Sequence, residues 1–312
     1  MITVLFAAEA ALWPAYAPHL RAGLAAAGIA ARLVTGAEPS QVDYIVFSPG
    51  GIITDFAPYT RLKAVLNLWA GVERVVGNPT LTQPLCRMVD PAMTQSMAEW
   101  VAAHVLRHHV GTDAHVRGQD GIWRQDPAAT PPLARERPLT ILGLGELGRA
   151  CAAVLAPFGF PLTGWSRSPA TVPGMRCLHG AEGLDAALAG AAGVVLLVPR
   201  TPQTENLMDA RRLALLAPGA FVINPGRGHL IDDDALLAAL EAGQVGHATL
   251  DVFRTEPLPP AHPFWAHPRV TVTPHIAATT RPDTASLVIV ENIRRGEAGE
   301  TFLHQVDRAR GY

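Results

Sequence analysis

Lysine is almost absent from this chain of 312 residues: Lys63 is the only one, and arginine supplies the other basic side chains. The composition offers no functional reason for that bias. The formal charge is only −2, and no run of five basic residues occurs. A chain without a basic face has little means of neutralising a phosphate backbone, so nucleic acid is not an expected partner. Cysteine is scarce as well. Cys86, Cys151 and Cys177 are odd in number, far apart and never in a CxxC pair, which argues against a disulfide framework and a zinc knuckle; inert packing is expected for all three. No uncharged apolar run has the length and character of a membrane span. The N-terminus has no basic residue before Arg21 and carries Glu9, unlike a signal peptide. A cytoplasmic protein with no membrane partner is expected. Charged residues make up 17% and hydrophobic ones 49%, which excludes a disordered chain, and the length suits two domains.

What the chain does have is a glycine turn. Leu139, Ile141 and Leu142 lead into Gly143-Leu144-Gly145-Glu146-Leu147-Gly148, and a helical segment from Ala150 to Ala156 stops at Pro157. This pattern predicts a strand, a tight turn and a helix N-terminus. Gly143 permits the turn, Gly145 lets backbone approach a diphosphate, and Gly148 lets helix and strand pack closely. The first helical amides, around Glu146 and Leu147, are unpaired and carry the positive end of the helix dipole. The next strand, Pro161 to Trp165, ends about 18 residues past Gly148, where a carboxylate contacts the ribose 2′-hydroxyl in NAD-binding turns. That carboxylate is missing here. The residues are Ser166, Arg167 and Ser168, a cation flanked by two hydroxyls, which suits a 2′-phosphate. The expected cofactor is NADP(H), with NAD(H) the weaker alternative.

Strand-like and helical runs alternate from the start. Strands are expected at Ile2–Ala7, Ala31–Val34, Tyr44–Phe47, Ala64–Leu68 and Leu85–Val89, with a helix at Ala15–Ala27. A long helix from Pro91 to His109 is apolar around most of its circumference, so it is buried on more than one side. Its His104, His108 and His109 have spacing open to a metal, but no acidic residue or cysteine beside them completes a set, so packing histidines are expected. Gly118 to Pro138, with Trp123, reads as a loop. Further strands follow at Gly193–Val198, Ala220–Asn224, His247–Leu250 and Val270–Thr273, with helices at Asp232–Ala242 and Pro282–Arg295. Such alternation implies an α/β fold of two doubly wound parallel-sheet domains, one flavodoxin-like and one a Rossmann dinucleotide-binding domain.

Three polar groups follow strands of the second domain: Arg227 in Asn224-Pro225-Gly226-Arg227-Gly228, Asp251 with Glu256 in Asp251-Val252-Phe253-Arg254-Thr255-Glu256-Pro257, and His275 in Thr273-Pro274-His275-Ile276-Ala277-Ala278. The carboxyl edge of a parallel sheet is where such folds bind ligands. An Arg, a Glu and a His there, beside a nicotinamide, serve one reaction class.

On these segments, together with Trp165-Ser166-Arg167-Ser168, Glu256-Pro257-Leu258-Pro259 and the closing Gln305 to Tyr312, the chain resembles the D-2-hydroxyacid dehydrogenase family. Within it the likeness is to the reductases of glyoxylate and hydroxypyruvate. It spans nearly the whole chain. The resemblance implies reduction of a small-molecule 2-oxo acid to the D-2-hydroxy acid by a homodimer. It implies a substrate domain of residues 1–105 and 281–312, and a dinucleotide-binding domain of residues 106–280. His275 would be the proton donor, Glu256 beside it would favour the imidazolium and fix the ring, and Arg227 would hold the substrate carboxylate and carbonyl oxygen. Backbone amides of Trp69, Ala70 and Gly71 would take the rest of the carboxylate. Pro199 would pack on the adenosine side and Asp251 would lie near the nicotinamide. The chain departs from the commoner family turn in having Pro225-Gly226 before Arg227. Glu256, where formate dehydrogenases of similar build carry glutamine, argues against that activity. A nicotinamide-dinucleotide-sensing binding protein on the same fold is the competing reading.

If Arg167 meets a 2′-phosphate, Arg167→Ala weakens NADPH binding roughly ten- to hundredfold, the loss of one charge-assisted contact, and leaves NADH affinity unchanged. Fluorescence titration with both nucleotides checks this.

Overall fold

The structure, a computed structural model, describes residues 1–123 and 130–311. Part of the loop expected between Gly118 and Pro138, and the terminal Tyr312 of the family-like tail, lie outside the described residues. The chain divides into two compact units, Met1–Met93 with Thr279–Tyr312, and Thr94–Ala278.

The first unit is built on β1 (Ile2–Ala7), α1 (Trp13–Ala26), β2 (Ala31–Val34), β3 (Tyr44–Phe47), β4 (Ala64–Asn67) and β5 (Leu85–Cys86). The strands form one parallel sheet in the order β2-β1-β3-β4-β5. Every residue of β3 and β4 is buried, as expected of a parallel sheet covered on both faces. The expected strands at Ala64–Leu68 and Leu85–Val89 end earlier. Leu68 leaves β4 for a loop whose carbonyls turn to other donors, and β5 meets β4 at only two positions.

The second unit opens with α2 (Pro91–His109), which begins within the last residues of the first, and α3 (Thr112–Arg117). Met97, Ala98, Val101, Ala102 and Val105 of α2 pack into this unit's core with Leu139, Ile141 and Ile223. Then come β6 (Leu139–Leu142), α4 (Glu146–Leu155), β7 (Leu162–Ser166), β8 (Arg176–His179), α5 (Gly180–Leu188), β9 (Gly193–Leu196), α6 (Ala210–Leu213), β10 (Ala220–Asn224), α7 (Asp233–Glu241), β11 (Val245–Leu250) and β12 (Val270–Val272). Seven parallel strands run in the order β12-β11-β10-β9-β6-β7-β8. The order reverses between β6 and β9, and the glycine turn leaves the sheet at that switch, where doubly wound folds bind ligands.

The last helix, α8 (Pro282–Ala298), belongs to the first unit. It buries Ala285, Ile289, Val290 and Ile293 against Leu20 and Leu24 of α1. A Cβ at Gly23 would stand 2.9 Å from a Val290 methyl, so the two helices close only over a glycine. Among the described residues no helix is long and apolar enough to cross a membrane.

Four elements are absent from the sequence reading. β8 is a short strand at the sheet edge, partly exposed, so it has no continuous apolar run. α5 carries glycines at 180 and 183 and forms because Leu184, Ala187 and Leu188 are buried in the core. α3 and α6 are too short for helical periodicity to register. The helix after the glycine turn starts at Glu146 rather than Ala150, with Gly145 as its N-cap.

Candidate active site

The glycine turn comes first. Gly143 has φ of 108°, and a Cβ there would stand 2.6 Å from the Leu197 carbonyl oxygen, so no other residue fits. A Cβ on Gly148 would stand 1.8 Å from the carbonyl oxygen of Gly143, which is why the helix can sit so close to the turn. At Gly145 the reverse holds: a Cβ would meet nothing within 4 Å, so open space lies against that backbone. No side chain caps α4, which leaves the first-turn amides of Glu146, Leu147 and Gly148 free for an anion. The Gly143 amide donates to the Trp165 carbonyl at 2.7 Å, which sets the turn beside the end of β7. There Ser166 donates to the carbonyl of Ser168 at 2.7 Å, and Arg167 and Ser168 are exposed. These residues fit a dinucleotide diphosphate and a 2′-phosphate. Pro199 follows β9, and its carbonyl accepts the Thr204 hydroxyl at 2.7 Å, which shapes the next turn on this edge.

Arg227 follows β10. Asn224, buried at the strand end, accepts from the Gly226 amide at 3.1 Å and donates to the Arg227 carbonyl at 2.9 Å, folding Pro225-Gly226 into a short turn. The Arg227 guanidinium donates to the Gly226 carbonyl at 2.7 Å. Gly228 lies so close to the Phe253–Arg254 backbone that a Cβ would come within 2.0 Å of it. The Arg227 turn is thereby packed onto the segment that carries Glu256.

Glu256 accepts the Phe253 amide on one oxygen at 2.9 Å and meets His275 Nδ1 with the other at 2.8 Å. Burial pushes the Glu256 carboxyl up, but the His275 hydrogen bond, the Phe253 amide and the charges of His275 and Arg227 together hold it below its ordinary range. With Nδ1 committed to the carboxylate, Nε2 is the nitrogen left to exchange a proton with a substrate. The His275 side chain is 52% exposed, so the ring is reachable. Its backbone φ is 57°, the left-handed region in which His is one of few tolerated residues.

Asp251 is fully buried. Its carboxylate accepts the Thr273 hydroxyl at 2.6 Å and the amides of Ile276 and Ala277 at 2.9 Å each, while the His275 amide donates to its carbonyl at 2.9 Å. The carboxylate therefore holds the turn that presents the imidazole. Asn224 and Thr273, which share in holding these turns, are not among the candidate residues of the sequence; a polar residue at a strand end is the only signal for them.

The Trp69–Gly71 segment lies in the first unit, after β4. Carbonyls of Leu68, Trp69, Gly71 and Val72 accept hydrogen bonds from Thr280, Met88, Asn67 and the amides of Val75 and Val76. Among the described residues, the amides of Trp69, Ala70, Gly71 and Val72 donate to no protein group. Successive amides without a protein acceptor are donors available to an anion.

The helix histidines are elsewhere. His108 meets the Thr249 hydroxyl at 2.8 Å, His247 meets that of Thr271 at 3.0 Å, and Arg107 pairs with Asp113 at 2.7 Å. His108, Asp113 and His247 offer donor atoms within 4.8 Å of one another, the described residues best placed for a metal, yet each already has a protein partner. Cys86 and Cys151 are buried, and burial pushes both thiols up to about 12.

A glycine turn at a sheet switch, with an Arg, a Glu and a His at neighbouring strand ends, defines a nicotinamide-dependent oxidoreductase. The family model for the D-isomer specific 2-hydroxyacid dehydrogenase NAD-binding domain matches residues 100–277. The chain belongs to that family. It is 44% identical, over 81% of its length and 82% of the relative's, to glyoxylate/hydroxypyruvate reductase A of Serratia proteamaculans. A D-isomer specific 2-hydroxyacid dehydrogenase from Xanthobacter autotrophicus, solved with NADPH and MES, superposes with a TM-score of 0.91 at 42% identity, covering 99% of both chains. An NADPH-dependent glyoxylate/hydroxypyruvate reductase from Sinorhizobium meliloti, solved with NADP and sulfate, gives 0.87 at 32% identity over the whole of both chains.

Asp251→Ala leaves three donors without their acceptor, the buried Ala277 amide and the partly buried Ile276 amide and Thr273 hydroxyl, at about 1–3 kcal/mol for the buried one and less for the others. Urea unfolding should show a loss of at least about 2 kcal/mol. Unchanged stability would mean the carboxylate is not the anchor of this turn.

Proposed function

We propose that this chain reduces a small 2-oxo acid to the D-2-hydroxy acid with NADPH, and that glyoxylate and hydroxypyruvate are its substrates. The observation that carries the reading is the 2.8 Å contact between His275 Nδ1 and Glu256, beside the turn of Arg227. The relatives named as glyoxylate/hydroxypyruvate reductases, and the family structures solved with NADPH or NADP, support it. In this reading the unit of Met1–Met93 with Thr279–Tyr312 handles substrate and the unit of Thr94–Ala278 handles the dinucleotide. Gly143, Gly145, Glu146, Leu147 and Gly148 hold the diphosphate, Ser166, Arg167 and Ser168 the 2′-phosphate, and Pro199 and Asp251 border the adenosine and nicotinamide ends. The active form is a homodimer in the cytoplasm.

When bound, NADPH supplies the hydride. The chain's own residues manage the charge that follows. A hydride arriving at the keto carbon leaves negative charge on its oxygen, which Arg227 stabilises and His275 Nε2 protonates. Glu256 holds the ring and balances the imidazolium before transfer. Amides of Trp69, Ala70, Gly71 and Val72 take the carboxylate, so the 2-oxo acid is oriented through its charged end.

The direct test is NADPH oxidation at 340 nm with glyoxylate and hydroxypyruvate at ordinary enzyme concentration. Turnover is the expected result; nucleotide binding without turnover would favour a sensor. Arg227→Ala should lower kcat by roughly 10²–10³-fold, as for loss of an oxyanion donor, with NADPH affinity intact. Loss of NADPH binding instead would assign Arg227 a structural role.

The pH dependence follows from the dyad. Reduction uses the protonated imidazole, so its rate should fall as pH rises, and oxidation of the hydroxy acid should show the opposite limb. The Glu256 carboxyl is held below its ordinary 4.5, so the carboxylate half of the pair is in place above that pH and is lost as pH falls through the lowered value. The acid limb of reduction should therefore begin below about 4.5. A reduction rate flat well above neutrality would sink the assignment of His275.

A further inference from the structure

The arrangement of amides at Trp69–Val72 has a cause, and it is one side chain. Asn67 ends β4 and is 1% exposed. Its Nδ2 donates to the carbonyl of Trp69 at 2.8 Å and to that of Gly71 at 2.9 Å. Both N–H bonds of the carboxamide are used on carbonyls two and four residues further along, so the loop is bent back over the side chain. In a trans peptide the C=O of one residue and the N–H of the next point in opposite directions. Holding the Trp69 and Gly71 carbonyls inward therefore turns the amides of Ala70 and Val72 outward. Met88 supports the first of these carbonyls, donating to it at 3.0 Å, but only Asn67 among the described residues reaches the second.

We infer that Asn67 is the positioning residue of the substrate's carboxylate site: its carboxamide aims the Ala70 and Val72 amides at a carboxylate without touching the substrate itself. The inference rests on the reading above that this loop binds the carboxylate of a 2-oxo acid. Among the described residues, Asn67 is the side chain given hydrogen bonds to two carbonyls of this loop. Asn67 carries no charge, so its effect is on the orientation of dipoles and is confined to a ligand that those dipoles meet.

The test is steady-state kinetics at saturating NADPH on Asn67→Ala, Asn67→Asp and Ala70→Pro, the last deleting one of the two aimed donors. Oxalate, a carboxylate that cannot be reduced, is titrated as a dead-end inhibitor. In both Asn67 variants the KM for glyoxylate and the inhibition constant of oxalate should rise about tenfold or more, the equivalent of one lost orienting contact. The kcat should stay within about threefold and the NADPH Kd within about twofold, a split that general loosening of the fold would not give. Asn67→Asp keeps the volume and removes the donors, so the result can be read even where Asn67→Ala fails to fold. Unchanged KM in the Asn67 variants with raised KM in Ala70→Pro overturns the role of Asn67 and leaves the loop reading standing. Unchanged KM in all three overturns both. A loss of kcat and NADPH binding in step with KM makes Asn67 a structural residue and also overturns the inference.

Discussion

The carboxylate of Asp251 is buried at the end of β11, and the chemistry of the second unit is built around keeping it satisfied. A buried charge is tolerated only when hydrogen bonds replace its hydration, and here the Thr273 hydroxyl and the Ile276 and Ala277 amides supply them. Those donors come from the turn after β12, so satisfying the charge fixes that turn. Two backbone bonds complete the arrangement: Asp251 donates to Asn224 at 3.0 Å and accepts from His275 at 2.9 Å. The ends of β10 and β11 and the turn after β12 are thus locked to one another, and the left-handed conformation of His275 persists because its surroundings over-determine it.

Side chains and backbone divide the labour in the proposed reaction. Where charge moves during the proposed reduction, side chains are used: a guanidinium, an imidazole and a carboxylate whose acidity is set by its neighbours. Where charge is merely held, the proposal uses backbone amides for the diphosphate, at the first turn of α4, and for the carboxylate, at the loop after β4, with the Arg167 guanidinium at the 2′-phosphate. Neither amides nor a guanidinium change protonation near neutral pH, so on the protein's side the anchoring groups keep one charge state there, while the proton-handling pair does not. Each set of amides also depends on something that is not an amide: Gly145 leaves open space before the one, and Asn67 turns the carbonyls away from the other.

These two parts differ in how far they can be read from the sequence. The glycine turn is legible because the steric demand is local: Gly143 and Gly148 are the residues that the contacts at 2.6 Å and 1.8 Å allow. Strands buried throughout, such as β3 and β9, show as apolar runs, and α2 is bounded as its proline and its apolar faces imply. Arg227, Glu256 and His275 stand out because a charged or titratable residue after an apolar strand has few structural uses. Asp251, Asn224 and Asn67 have a different kind of role. Each bonds backbone groups whose identity no sequence records, so a carboxylate holding a turn and a carboxylate facing a ligand look alike until the donors are placed. β8 and α5 were hidden for a related reason: an exposed edge and a pair of glycines carry no periodic signal, and only the rest of the unit makes them regular.

The chain contains 12 histidines, and environment decides which of them can carry a proton in catalysis. Burial pushes His104 and His247 down to about 4 and His108 to about 3, with nearby Arg107 adding to the effect at each and the two rings of His108 and His247 opposing each other's charge at His108. At neutral pH these three are uncharged: His108 and His247 hydrogen-bond Thr249 and Thr271, and His104 packs against the Trp100 ring. A neutral imidazole in that setting would have to desolvate a charge to act as an acid. His275 differs in both respects that matter. It is half exposed, and a carboxylate held ionised by its own surroundings sits against Nδ1. In the proposed reduction, solvent access and a charged partner favour His275 as proton donor over His104, His108 and His247, which cannot meet those conditions where they are packed.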